Sequence, residues 1–474
     1  MTSPSDDTPR VTAEVARFVR RTTLHRVPKN VLDLAKGHIL DGLGVALAGS
    51  VETCSTIARA HIRAWRAKGE ATVIGSALRV PAEKAAFLNG LAAHALDYDD
   101  TQLSTSKDAV YGLLTHPTTP VLSSALAAGE VLGASGRDVL LAYVVAVEAE
   151  CRLSDAMSPR HYQAGFHSTG TVGHLGAVLA VGKLLDLDEP QLCQAMGLAA
   201  SMAAGLRENF GTMTKPYHAG RACEDGVIAA FLVKRGFTAA TNILEAKRGF
   251  YSAFGHGGGF EAAKIRGRLG APYFFLDPGV SIKPYPSGSL SHPAQDAILD
   301  LVTTHDLRPQ DVARIDVGTN SNIPNALIHP MPKTELEAKF SIPFCMAVAV
   351  VERKAGLEQF TDDTVRRPAI VKLMKRVTLS VDPDMEALGF DLARAVVKVT
   401  LKNGRVLEQR VDLARGTPPN RLSWEELAEK FRECAGRAIS TRQAEAAIAG
   451  VQRLEAQPRV SRLLAGLGSR TSAR

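Results

Sequence analysis

The sequence predicts a mainly α protein: a large all-helical domain with a smaller α+β domain inserted into it. Three observations carry that expectation. Apolar residues recur at helical spacing almost without a break from Val11 to about Gly267. Short β-branched runs then appear: VARIDVG (312–318), RVTLSV (376–381) and AVVKVTL (395–401). From Ser423 the helical pattern returns. The expected domains are 1–268 for the first part of the helical unit, 269–412 for the α+β unit and 413–474 for the helical return. A chain of 474 residues is longer than one core usually serves.

In chain order, Thr12-Ala13-Glu14 offers a hydroxyl start for a first helix. Pro28 opens a second that runs to Gly49. Its apolar positions 31, 34, 35, 39, 43 and 47 form a broad face, as expected of a mostly buried helix. Further helices are expected at 52–68, 82–97, 117–133, 136–155, 169–185, 188–204 and 218–235, joined by turns rich in Gly, Pro and Asn. The small residues of GLAASMAAGL (197–206) allow close helix approach. In the second unit, helices are expected at 291–304 and 340–353. Asn403-Gly404, between AVVKVTL and VLEQRV, is a two-residue hairpin signal. Ser423 with Glu426 three residues on reads as a capping box.

Composition excludes several classes. Apolar residues make up 45% and charged residues 22%, the balance of an ordinary globular protein. The longest strongly apolar stretch, Val139 to Val147, is far short of the roughly 17–25 residues that cross a bilayer, so no membrane span is expected. The polar, acidic start MTSPSDDTPR is unlike a leader peptide. Six scattered cysteines without a CxxC pair suit a reducing cytoplasm and argue against a zinc ribbon. The net charge of +7 is dispersed and aromatics are only 5%, so neither a basic stripe nor a stacking platform for nucleic acid is present. An enzyme for a small anion explains the charge equally well.

The stretch most in need of explanation is AFLNGLAAHALDYDDT (86–101), followed by HPTTP (116–120). A helical run ends on Asp97, Asp99 and Asp100, at the negative end of the dipole, where each acid costs a few tenths to about 1 kcal/mol. A helix shaped by stability alone would more readily end in Gly or Lys, although a solvated acidic turn gives the same pattern. The three carboxylates could also ligate a hard cation, but no second acidic cluster accompanies them. A cation-proline pair recurs at His116-Pro117, Lys215-Pro216, Lys283-Pro284 and His292-Pro293. Proline favours the first helical turn, and a cation at that positive end makes sense where an anion binds. Lys283-Pro284 reads as a loop. In GFHSTGTVGHLGA (165–177), His167 precedes the helix and is the functional candidate, whereas His174 falls inside it and is expected in the core. Gly42-Leu43-Gly44 sits inside a helix and is no dinucleotide fingerprint; His256-Gly-Gly-Gly259 has no GxSxG elbow to serve.

Taken together, HILDGLGVALAG (38–49), AFLNGLAAHALDYDDT (86–101), HPTTPVLSSALAAGE (116–130), GFHSTGTVGHLGA (165–177), GTMTKPYHAGRA (211–222), IKPYPSGSLSH (282–292) and AKFSIPF (338–344) resemble the MmgE/PrpD family. That family includes 2-methylcitrate dehydratases, cis-aconitate decarboxylases and iminodisuccinate epimerases. The resemblance implies a helical domain with an inserted α+β lid, a homodimer, no metal or organic cofactor, and a site between the domains. It assigns Asp97 and Thr101 to a DxxxT pattern, His116 and His167 to the two catalytic histidines, Lys215 to TKPxH and Lys283 to the lid motif. The expectation is a cofactor-independent, 2-methylcitrate dehydratase-like lyase on a di- or tricarboxylate, passing through a carbanion next to a carboxylate. Lys215 and Lys283 would clamp carboxylates, and His116 would move the proton at carbon. His167 would assist the leaving group, Asp97 would fix His116 or a lysine, and Thr101 would donate to a carboxylate. Decarboxylation or epimerisation on the same site, and a non-catalytic polycarboxylate-binding protein, are the alternatives. Two departures stand out. The stretch between Thr101 and His116 is longer than in the decarboxylase pattern. Phe344 stands where that pattern has tyrosine, and losing that hydroxyl removes a proton donor or carboxylate contact and counts against decarboxylation.

Overall fold

The computed structural model describes residues 10–102, 115–390 and 392–468; the extra length between Thr101 and His116 falls on 103–114, outside them. The chain is mainly helical. Its first part holds α1 (Val11–Arg21), α2 (Lys29–Gly49), α3 (Thr53–Arg63), α4 (Ala82–His94), α5 (Thr118–Leu132) and α6 (Gly136–Ala156). Two single-turn pieces follow, α7 (Arg160–Gln163) and α8 (Ser168–Thr171), then α9 (Gly173–Leu184), α10 (Glu189–Met202) and α11 (Thr214–Lys234). The centre of this bundle is α4, α5, α9 and α11, brought together by missing side chains. A Cβ added at Gly90 of α4 would lie 2.2 Å from Cys223 Sγ of α11, and one at Gly226 would lie 2.4 Å from Ala177 Cβ of α9.

Helical periodicity overreaches in three places. Residues 235–281 contain only α12 (Phe250–Phe254) and one 3-10 turn, because glycines at 255, 257, 258 and 259 break the run. A small antiparallel hairpin, β1 (Ala71–Thr72) with β2 (Arg79–Val80), lies in the stretch whose pattern predicts helices and turns alone. The helix expected over 82–97 stops at His94, since Asp97 turns the chain at φ 51°.

The second part contains α13 (His292–Thr304), β3 (Val312–Thr319), α14 (Asn322–Ala326), α15 (Glu335–Ala338) and α16 (Ile342–Glu352). After these come α17 (Asp362–Arg366), α18 (Pro368–Met374), β4 (Val377–Val381), α19 (Pro383–Ala387), β5 (Ala395–Leu401) and β6 (Val406–Val411). The sheet order is β4-β3-β5-β6, with β3–β4 parallel and the other pairs antiparallel. The β5–β6 loop is one residue longer than the expected Asn-Gly turn: the Leu401 N–H donates to the Arg405 carbonyl at 2.8 Å, leaving Lys402, Asn403 and Gly404 in the loop, and only Gly404 takes the left-handed conformation, at φ 86°. The chain then forms α20 (Trp424–Ala435), α21 (Thr441–Gln452) and α22 (Ser461–Ala465). Ser423 and Glu426 cap α20 reciprocally.

Two apolar cores result. One gathers residues from Val11 to Ile282 together with Leu357 and the segment from Leu427 to Leu467. The other lies between Tyr285 and Leu407 and fills the space between the sheet and α13, α16 and α18. The first core thus runs past the change of texture at Gly267, through Phe274, Phe275 and Ile282. All six cysteines are free thiols. No helix among the described residues is long and apolar enough to cross a membrane.

Candidate active site

The acidic turn after α4 is not a solvated loop. Asp97 is 4% exposed, and Asp99 and Asp100 are each 1% exposed. A buried carboxylate without partners is very costly, and each of these has them. Asp100 accepts from the backbone N–H of Thr118 at 3.1 Å and from the Thr118 hydroxyl, and it faces His38 Nδ1 at 2.7 Å. An acid ill-placed at the end of α4 therefore serves the positive start of α5. Asp99 accepts from the Thr119 hydroxyl at 2.7 Å and from His94 Nδ1 at 2.8 Å. Burial alone would raise its pKa; the imidazoles of His116 and His94 outweigh that and hold it well below the usual carboxylate range.

Asp97 is the meeting point of both lysines. Lys215 Nζ, on the first turn of α11, donates to its Oδ1 at 2.6 Å and to His94 Nε2 at 3.0 Å. Lys283 Nζ donates to the Asp97 carbonyl at 2.8 Å and lies 3.1 Å from Oδ1. Burial pushes Asp97 up, but Lys215 and Lys283 win, and its carboxyl stays ionised. Lys215 is lowered by burial and by its neighbour Lys283, with Asp97 pulling the other way. The backbone reinforces this pairing: Thr101 and Ser281 exchange both N–H···O bonds, at 2.8 and 2.9 Å.

Three imidazoles cluster beside these charges. His94 meets His116 edge-on at 4.6 Å between centroids and stacks with His167 at 5.5 Å. His116 Nδ1 sits 2.8 Å from the Asp100 carbonyl. A carbonyl only accepts, so Nδ1 carries the proton and Nε2 is left on the side of Asp97, 3.9 Å from Oδ1. His167 Nδ1 lies 3.2 Å from His218 Nδ1, and its buried Nε2 has no hydrogen-bond partner among the described residues. Burial drives His167 well below its ordinary value, with Lys215 and His94 adding to the effect. His94 is pushed down to about 3 by burial, against the pull of Asp99. It is therefore neutral near pH 7, donating from Nδ1 to Asp99 and accepting from Lys215 at Nε2.

Asp97, Thr101, His116, His167, Lys215 and Lys283 all line one pocket. Its far wall is Leu290, Ala326, Leu327 and Phe340 from the second part of the chain, so the pocket lies between the two cores. It is tight, a cavity of about 30 Å³. The Thr101 hydroxyl points at the Thr115 carbonyl, at a long 3.4 Å. His292 is elsewhere: its Nε2 faces the Ser287 carbonyl at 3.2 Å, outside this pocket. His174 is buried on Asp225 at 3.1 Å, as expected of a core histidine. Phe344 does not line the pocket. Its ring packs in the second core against Phe360, 5.2 Å between centroids, so its missing hydroxyl is no evidence against decarboxylation.

Sequence reasoning missed His94, Tyr162, Phe210 and Phe340. His94 had a signal: a histidine in the last helical turn five residues before Asp99 can fold back onto it. For a metal, Asp100 is too occupied to serve, and the set that meets is His94, Asp97, Asp99 and His116, with donor atoms within 4.8 Å of one another. Two ammonium groups already sit on the Asp97 carboxylate. A divalent ion there would have to displace or repel them, and these residues fit a charge-neutral cluster better than a metal cage.

The fold and the pocket describe a mainly helical protein with two apolar cores and a buried lysine–histidine–aspartate cluster between them. The MmgE/PrpD N-terminal domain model matches residues 13–263, and the MmgE/PrpD C-terminal domain model matches 285–456. The chain belongs to the MmgE/PrpD family. Among its relatives is the cis-aconitate decarboxylase of Homo sapiens, 29% identical over 94% of this chain and 92% of the relative. Another is the cis-aconitate decarboxylase of Aspergillus terreus, 26% identical over 90% of this chain and 89% of the relative.

Proposed function

We propose that the protein is a lyase acting on a di- or tricarboxylate through a carbanion adjacent to a carboxylate, using its own lysines and histidines in place of a cofactor. The observation that carries this reading is the convergence of two buried ammonium groups and two imidazole nitrogens, His116 Nε2 and His167 Nε2, on one pocket. Lys215 and Lys283 take the substrate carboxylates, and Asp97 holds both lysines charged until substrate arrives. When a C–C bond to a carboxylate breaks, CO₂ leaves and the electron pair stays on carbon, delocalised toward the remaining carboxylate beside the ammonium groups. His116, doubly protonated with Nδ1 on the Asp100 carbonyl, then delivers its Nε2 proton to that carbon and is left neutral. In a dehydration the same histidine would remove the carbon proton, and His167 would protonate the departing hydroxyl.

Decarboxylation of a cis-aconitate-like substrate is the favoured form. The similar relatives carry that name, and the core position of Phe344 removes the objection to it. A pocket this tight leaves little room for a tricarboxylate, and in this reading the second core acts as a lid that swings away during turnover. A homodimer is the family expectation carried with this reading, and a cytoplasmic setting is the expectation from the scattered cysteines.

The test is a panel of cis-aconitate, 2-methylcitrate and iminodisuccinate with purified protein, following CO₂ release, water loss and racemisation. CO₂ from cis-aconitate is expected, falling 10²–10⁴-fold in His116→Ala, the range for a lost proton-transfer group. Full turnover by that variant would remove His116 from the mechanism. Stabilisation by citrate-like anions with no product from any compound would leave a polycarboxylate-binding protein instead.

A further inference from the structure

Lys430 lies on α20, 147 residues along the chain from Lys283, and no sequence motif singles it out. It is 7% exposed. Its Nζ donates to the Tyr98 carbonyl at 2.9 Å and to the Lys283 carbonyl at 2.7 Å, and pairs with Asp41 Oδ1 of α2 at 2.6 Å. Three oxygens thus surround the ammonium, two carbonyls as hydrogen-bond acceptors and the Asp41 carboxylate as an ion-pair partner, and it also lies 3.7 Å from the centre of the Tyr98 ring. Two of those oxygens belong to the residue after Asp97 and to Lys283 itself.

We infer that Lys430, anchored by Asp41, is a positioning residue that fixes Lys283 against Asp97. The segments 97–101 and 281–284 are joined at one end by the Thr101–Ser281 backbone pair and along their length by the Tyr98 hydroxyl on the Pro284 carbonyl, 3.1 Å. Lys430 supplies the remaining tie, pulling both backbones toward one point. With the Lys283 carbonyl held from one side, its side chain is directed to the other, onto the Asp97 carbonyl and carboxylate. An ammonium serves here where a guanidinium would not, because three acceptors surround one nitrogen and not a planar fork. The functional consequence rests on the carboxylate-clamp reading of Lys283 given above.

The test uses the full chain carrying Asp41→Asn with Lys430→Met, which removes both buried charges together and so avoids leaving one unpaired. Lys430→Arg is the second variant, retaining the charge beside Asp41 but not the geometry. In the crystal structure of either variant, Lys283 Nζ is expected more than 4 Å from Asp97. For the compound that the wild-type protein turns over, KM is expected to rise at least tenfold with kcat changed less than threefold. A lysine with only a structural role would lower the active fraction, and with it kcat, at constant KM. Lys283 still within hydrogen-bond distance of Asp97 in the variants overturns the inference, as does an unchanged KM. If the wild-type protein turns over none of the panel, the lyase reading falls, and the crystal structures alone decide whether Lys430 positions Lys283.

Discussion

Asp97 and Glu150 are both shut away from water, yet they end in opposite states. Asp97 lies between two ammonium groups and is held ionised despite its burial. Glu150, in the middle of α6, is 0% exposed and neither carboxyl oxygen has a hydrogen-bond partner among the described residues. Burial, with Asp100 adding to it, raises Glu150 well above the usual range, so it stays protonated. Its carboxyl fits only because residue 176 is glycine, where a Cβ would lie 1.9 Å from Oε2. Depth alone therefore does not decide whether a carboxyl carries charge; the partner does.

The sharpest way to break this contrast is Asp97→Asn. It leaves Lys215 and Lys283 facing each other without a counter-charge, and a broken buried pair typically costs about 3–5 kcal/mol. We expect a large drop in the urea midpoint together with loss of turnover; unchanged stability would mean that the lysines do not depend on Asp97. Next in size is an acid effect from imidazoles that resemble Glu150 in being held neutral, buried except for the half-buried His218. His94 and His292 are pushed down to about 3 and His161 and His218 to about 4, each chiefly by burial, and His167 is also lowered. Unfolded imidazoles titrate at 6.5. The unfolded chain binds more protons below that pH, so the stability these groups supply is present above 6.5 and is lost as pH falls toward 4. Urea midpoints at pH 7.5, 6 and 5 should fall in that order; a flat profile would sink the assignment of neutral histidines. The smallest effect belongs to Glu150→Gln, expected within about 1 kcal/mol of the parent at pH 5, since one uncharged polar group replaces another. The parent's advantage from a raised carboxyl is present below 4.5 and declines as pH rises toward the folded pKa. The variant should accordingly gain on it with rising pH, and a loss of several kcal/mol would show that Glu150 is ionised and paired.

Local pattern was enough for much of the architecture. Helical spacing located α2, α5 and α6 to within a residue or two at both ends and α11 at its end only, its start lying four residues earlier, and Asn403-Gly404 and Ser423…Glu426 marked a hairpin and a cap whose chemistry is written in adjacent residues. The resemblance pointed to six residues that the folded chain gathers on one pocket. What stayed hidden depends on distant partners. Nothing local says that Asp100 will reach the N-terminus of α5, that His94 will hold Lys215, or that Phe344 will face Phe360 and not the cleft. Lys430 is the extreme case, an unremarkable lysine in a capped surface helix until the fold brings two carbonyls to it.

The contacts of Lys430 span 332 and 147 residues of chain, while the remaining parts of the cluster are spread over residues 94 to 283. Loops of that length close late, because their entropy is spent before any contact repays it. A chain still emerging from the ribosome could build most of the helical bundle while Lys283 remains unregistered. Chemical competence would then arrive abruptly, with α20, rather than growing in step with the length synthesised.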